Sequence, residues 1–160
     1  MKGAQFAMVI KATKAMEYIE EKRADIVGVS DAVWHFAEVG LQEHRSSKCL
    51  AQALEKEGFS VELGVAGLPT AFVATWGSGK PVIGFLGEYD ALPGLSQKAV
   101  PYREELEKGK PGHGCGHNLL GAGAFGAAIG LKQAMLEQGI SGTLKYFGCP
   151  AEENFSGKAF

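Results

Sequence analysis

The chain has 160 residues, enough for one domain with its own core. Hydrophobic residues make up 46% and charged residues 21%, with a formal net charge of −2 and no basic block. That sets nucleic acid aside as a partner, because neutralising phosphate needs clustered Lys and Arg.

From about Lys11 to Val39 apolar side chains recur at helical spacing (Ala15, Met16, Ile19, Ile26, Val29, Val33, Trp34, Ala37), and Gly40 is the expected stop. No apolar run along the chain approaches the ~20 residues that cross a bilayer. The leading MKGAQFAMVIKATKAM has too short an apolar patch for a secretory signal. No membrane partner is therefore expected, and the cytoplasm is the expected location. A second helix is predicted over Glu43–Glu57, with Cys49, Leu50, Ala53 and Leu54 inward and Gly58 ending it. Three strands follow, Phe59–Leu63, Ala71–Trp76 and Pro81–Leu86, and GSGK between the last two reads as a hairpin turn. Gly94–Gly112 is polar and reads as an exposed loop with at most one helical turn. Asn118–Gln138 is small and apolar, a closely packed helix closed by Gly139, and Gly142–Gly148 is a buried strand. This alternation predicts an α/β three-layer sandwich, with helices on both faces of a mixed, mainly parallel sheet. The chain stops just past a strand that should be interior, which would leave an apolar edge.

Glycine, at 23 residues, has about twice its usual share and clusters between apolar runs, as tight turns and close backbone approaches require. The three cysteines, Cys49, Cys115 and Cys149, show no pairing pattern, so reduced thiols or metal ligation are expected in place of a disulfide framework. Cys49, on the second helix, reads as a buried small hydrophobe.

Three segments carry candidate chemistry. GFLGEYDALPG brings Glu88 and Asp90 to the carboxyl end of a strand, where α/β sheets place ligands. Residues two apart share a face, so the two carboxylates can converge; the same residues also read as a polar strand exit with Asp capping a turn. In PGHGCGHNLLG, His113, Cys115 and His117 alternate with glycine, and imidazole with thiolate suits zinc, with manganese and nickel less preferred. The paired C-x-x-C elements of a structural zinc site are missing. GCPAEEN sets Glu152 beside Glu153, and adjacent side chains point apart, so one can hold a metal while the other faces water and substrate. Gly121–Gly126 (GAGAFG) fits the spacing of a nucleotide-binding turn, an alternative that needs a buried strand just before it; HGCGHNLL cannot be one.

AEVGLQEHRSSKCLAQALEKEGFSVELGVAGLPTAFVA, GKPVIGFLGEYDALPGLSQ, HGCGHNLLGAGAFGAAIGLK and GTLKYFGCPAEE together resemble the dimetal amidohydrolases of the aminoacylase and hippurate-hydrolase superfamily of metallopeptidases. Within it they are similar to the branch containing p-aminobenzoyl-glutamate hydrolase. The likeness runs from about Glu38 onward. It implies Cys115, His117 and Glu153 as metal ligands, Glu152 as general base, and Asp90 as the aspartate behind the metals that orients a ligand. Glu88 stands where related peptidases carry a metal-binding histidine and is not expected to ligate; His113 is expected to serve loop structure. The implied cofactor is a divalent metal, two ions of zinc or manganese in a complete enzyme. The implied reaction is hydrolysis of the amide of an N-acyl, aroyl-type amino acid such as p-aminobenzoyl-glutamate.

Family members continue past the acidic pair, with further histidine ligands and a smaller dimerisation domain. The resemblance therefore implies that residues 1–160 are the N-terminal part of a metal-dependent catalytic domain, weakly active or inactive alone. The rival reading is a non-catalytic metal-binding module whose truncated sheet pairs with a second copy or another subunit.

Overall fold

The structure is a computed structural model, and it describes residues 14–160. Residues 11–13 of the first predicted helix, and most of the leading segment weighed as a signal, lie outside the described residues.

Helix α1 (14–21) runs into α2 (Arg23–Phe36) through a turn at Lys22, and backbone bonds continue across it, from the Lys22 N–H to Tyr18 O and from the Ile26 N–H to Lys22 O. The helix ends before the expected stop: Ala37 turns left-handed (φ 45°) and donates its N–H back to Val33 O at 3.1 Å. Gly40 has another part, because a Cβ there would lie 3.1 Å from Ala151. Helix α3 (His44–Lys56) buries Leu50, Ala51 and Leu54. Its first turn is held by Glu38, whose carboxylate accepts the Ser46 N–H and hydroxyl, each at 2.8 Å, so a negative charge sits at the positive helix end.

The strands are β1 (Ser60–Leu63), β2 (Phe72–Ser78), β3 (Val82–Glu88) and β4 (Gly142–Cys149), in the order β1-β2-β4-β3. The predicted hairpin is therefore not made. β4, the last strand in the chain, lies between β2 and β3, antiparallel to the first and parallel to the second. The sheet is mixed as expected, but of its three pairings only β3–β4 is parallel. It also follows that β4 is paired on both sides and leaves no edge, whereas β3 does. Val82 (57% exposed) and Leu86 (54%) lie on that free strand.

Helix α4 (His117–Gln138) starts after Gly116 and ends at Gly139, both left-handed. Its 22 residues make it long and apolar enough by length and composition to cross a bilayer, which corrects the expectation from sequence. More than half of it is buried in this chain's own core, and its Lys132 Nζ is held by Glu57. The glycines of the nucleotide-like spacing lie inside α4, not in a strand-to-helix turn. A Cβ at Gly121 would meet Glu88 O at 2.7 Å, and one at Gly126 would meet Ile26 at 3.1 Å, so close packing accounts for both.

The core joins α2, α3 and α4 to one face of the sheet, through Val33, Leu50, Leu54, Phe72, Phe125, Ile129, Leu144 and Tyr146. Alternation puts Val73, Phe147 and Leu86 on the other face, so the described residues form two of the three expected layers. Residues 94–112 hold no helical turn. They are fastened by the Ser96 N–H to Lys110 O and by the Leu92–Gly112 bridge. A short helix, α5 (Glu152–Phe155), follows β4.

Candidate metal centre

Convergence begins in the sheet. Because β3 and β4 run parallel and in register, Glu88 pairs with Cys149 at their carboxyl ends, and the chain leaves both strands on the same side. The N-terminus of α4 comes to the same place, adding the partial positive charge of its free N–H groups. Alternation at the β3 exit then separates functions. Glu88 and Asp90 point toward His117, while Tyr89 between them is fully buried and donates its hydroxyl to Thr70 O at 2.6 Å. Ala151, left-handed at φ 54° and completely buried, turns the backbone so that the acidic pair follows directly.

His117, only 3% exposed, is the centre of the cluster. Its Nδ1 lies 2.8 Å from Asp90 Oδ1, and since a carboxylate can only accept, Nδ1 carries the proton. Nε2 then faces the site, 3.3 Å from Glu88 Oε2 and 3.7 Å from Glu152 Oε2. The bond to Asp90 raises the His117 pKa despite burial. Burial pushes the Asp90 carboxyl pKa up, but the bonds from His117 and from the Glu153 N–H (3.0 Å) outweigh it and hold its pKa below the usual value. Asp90 thus fixes both the imidazole and the start of α5.

Cys115, His117 and Glu153 each offer a ligand atom within 4.8 Å of the others, and Glu88, His117 and Glu152 do so as a second set. The five site residues expected from sequence (Asp90, Cys115, His117, Glu152 and Glu153) are all gathered here. Glu88, left out by the sequence reading, joins them. So does Lys158, which had no sequence signal; its Nζ bonds Glu88 Oε1 at 2.7 Å and Glu152 Oε1 at 3.0 Å. Those two acids raise its pKa further. His113 turns away from the cluster, its Nε2 meeting Val33 O at 3.0 Å.

The donor set fits a divalent cation. Glu153 Oε1 is buried and has no hydrogen-bond partner, an arrangement that is costly for a carboxylate oxygen unless a cation meets it. The exposed Cys115 thiol has its pKa raised by loss of hydration and by the nearby Glu153, Glu152 and Glu88 charges, and a cation would offset that repulsion. Cys149 does not belong to the site. Burial pushes its thiol pKa up to about 11, and its Sγ–H donates to Phe147 O. The third cysteine, Cys49, is half-buried on α3.

The cluster opens into a cavity of about 560 Å³, walled on its apolar side by Leu119 and Leu120. A larger one, about 630 Å³, lies between α2 and α3 around Lys22, Lys48 and Phe125; no candidate ligand set opens into it, so chemistry favours the smaller.

No family model matches the chain. Individual proteins do. It is 48% identical over 143 residues to one of the subunits of p-aminobenzoyl-glutamate hydrolase from Escherichia coli K12, covering 89% of this chain and 30% of that protein. It is also 26% identical to a dinuclear metal-binding M20-family peptidase of Bacillus subtilis, with a TM-score of 0.60 over 82% of this chain and 36% of that one. The chain is thus similar to p-aminobenzoyl-glutamate hydrolase and to an M20-family peptidase. A third relative, the Xaa-Arg dipeptidase of Mus musculus, is 34% identical over 91% of this chain and 33% of its own length. The chain thus spans about a third of the relatives it matches.

Proposed function

We propose that this chain is one part of a metal-dependent amidohydrolase that cleaves the amide of an N-acyl amino acid, with p-aminobenzoyl-glutamate as the first substrate to test. The observation that carries the reading is the meeting of Cys115, His117 and Glu153 around an unpartnered Glu153 oxygen, with Glu152 alongside. Cys115, His117 and Glu153 hold the cation, and thiolate with imidazole favours zinc over manganese. A bound divalent cation there would polarise the amide carbonyl and lower the pKa of water. Asp90 keeps the Nδ1 proton in place, so that the Nε2 lone pair faces the metal. Glu152 takes the proton from the attacking water and returns it to the leaving nitrogen. Leu119 and Leu120 offer an apolar wall to an aroyl group.

Three ligands suffice for one catalytic zinc but not for two ions, so this chain alone binds metal weakly and turns over little substrate. The second reading, a metal-binding module that associates with another chain, is favoured by β3, which among the described residues has a strand on one side only and exposes Val82 and Leu86. Two different subunits of the Escherichia coli hydrolase are both similar to this chain, which supports a partner of that kind. Three free cysteines fit a reducing, cytoplasmic setting.

The test compares metal content and p-aminobenzoyl-glutamate hydrolysis of the 160-residue chain with those of Cys115→Ser. Lower zinc in the variant is expected. Equal zinc in both removes Cys115 from the site, and vigorous hydrolysis by the chain alone overturns the claim of incompleteness. Sedimentation at rising concentration separates the second reading, which requires association.

A further inference from the structure

Glu43 has no part in the chemistry above, yet it is completely buried, more than a hundred positions from the acidic pair in sequence. A carboxylate is costly to bury unless each oxygen has a partner. Here both do. Oε1 accepts the Ala151 N–H at 2.7 Å, and Oε2 accepts the Thr70 hydroxyl at 2.9 Å. The Thr70 carbonyl in turn accepts the Tyr89 hydroxyl at 2.6 Å. One buried chain of hydrogen bonds thus ties Ala151, the residue before Glu152–Glu153, to Tyr89, the residue between Glu88 and Asp90.

Ala151 is the position that needs such a hold. Its left-handed backbone (φ 54°, ψ 41°) is unfavourable for any residue with a Cβ and persists only where its surroundings enforce it. Gly40, three residues before Glu43, leaves room for the Ala151 methyl, so one segment supplies both the space and the acceptor. The acidic loop is then pinned at two amides by two carboxylates: Ala151 by Glu43 from the core side, Glu153 by Asp90 from the site side.

We propose that Glu43 is a positioning residue for the metal centre: through the Ala151 amide it sets where Glu152 and Glu153 point, and through Thr70 it couples that loop to the Glu88–Asp90 strand end. This rests on the reading of Glu153 as ligand and Glu152 as base. Glu43→Gln should preserve the arrangement, its carbonyl accepting from Ala151 while its amide donates to the Thr70 hydroxyl, which can rotate to accept. Glu43→Leu fills much the same space but leaves the Ala151 N–H without an acceptor.

Two readouts test it, on each variant and the parent chain. Titration with cobalt(II) chloride, followed by its visible spectrum, should show parent-like affinity and band shape for Glu43→Gln. For Glu43→Leu affinity should fall at least tenfold, with an altered spectrum and an unchanged far-ultraviolet circular dichroism spectrum. Amide hydrogen exchange in metal-free protein should show Ala151 protection lost selectively in Glu43→Leu and retained in Glu43→Gln. A folded Glu43→Leu that keeps parent cobalt affinity and Ala151 protection overturns the proposal. If Glu43→Leu does not fold, Thr70→Val is read in its place; it keeps the volume and deletes one bond, and parent-like values in both readouts would likewise overturn it. Failure of the parent to bind cobalt removes the metal reading, while the exchange measurement still decides whether Glu43 holds the loop.

Discussion

Replacing Asp90 by Asn changes one atom in the side chain and removes one of the two acceptors that serve His117 and the Glu153 amide. Asp90 is 1% exposed and accepts from two donors at once, His117 Nδ1–H at 2.8 Å and the Glu153 N–H at 3.0 Å. An amide has a single acceptor oxygen, so whichever donor it serves, its NH₂ confronts the other. One charge-assisted bond is lost, which is about 1.5–3 kcal/mol in the metal-free fold. Cation affinity depends on the same bond, because the Nδ1–H acceptor fixes the tautomer and the ring orientation; losing such a partner lowers affinity about 10- to 100-fold. Urea unfolding of the metal-free protein measures the first effect, and zinc titration against a chromophoric chelator the second. An Asp90→Asn chain within about 0.5 kcal/mol of the parent, with zinc affinity within about twofold, would refute the assignment of Asp90 as the orienting group.

Away from the site, Glu57 accepts from Tyr18 at 2.7 Å and from Lys132 Nζ at 3.0 Å and pairs with Lys22 at 2.9 Å. Burial raises its pKa, but these partners outweigh it and hold the folded value below 4.5, so its contribution is present above that pH and is lost as pH falls through the folded value. Glu57→Gln should therefore flatten the acid limb of a stability-against-pH curve below about 4.5, and an unchanged limb contradicts the pairing. Gly148→Ala puts a Cβ 2.1 Å from the Phe72 ring, which stacks on Tyr146 and Tyr89, and should cost at least about 1–3 kcal/mol in urea unfolding. Lys158→Met removes the ammonium bound to Glu88 and Glu152, and zinc affinity should rise about threefold to tenfold at low ionic strength; a fall would make Lys158 a support of the site and not a competitor.

What was legible in the sequence was local. Helix α3, the four strands and α4 fall within one or two residues of the expected ranges, because periodicity and glycine stops act over a few residues. Asp90, Cys115, His117, Glu152 and Glu153 were legible as three separate motifs at strand and loop ends. Pairing was not. The GSGK segment carries a good turn signal, but turn chemistry cannot reveal that a strand from beyond α4 will enter between the two arms. Helix α2 stopped early because Ala37 adopts a left-handed cap that glycine would ordinarily supply. Analogy with the histidine of related peptidases argues against Glu88 as a ligand, although its alternation with Asp90 places both on one face. Glu43 and Lys158 had no signal: the first reads as one more acid at a helix start, the second as one more lysine in a polar tail.

The central position of β4 dictates an order of assembly. In the finished sheet β2 and β3 stand two strand spacings apart, about 9–10 Å, and while the ribosome is still making α4 the strand that fills that gap is missing. Each then shows an open backbone ladder to whatever is nearby. Only when Gly142–Cys149 emerges can one insertion complete both pairings, and that same event delivers Ala151 to Glu43. Closure of the sheet and construction of the acidic loop are therefore a single late step, built on long-range contacts of the kind that form slowly. A nascent chain stalled before that point would lack both, and would be the species most in need of protection from aggregation.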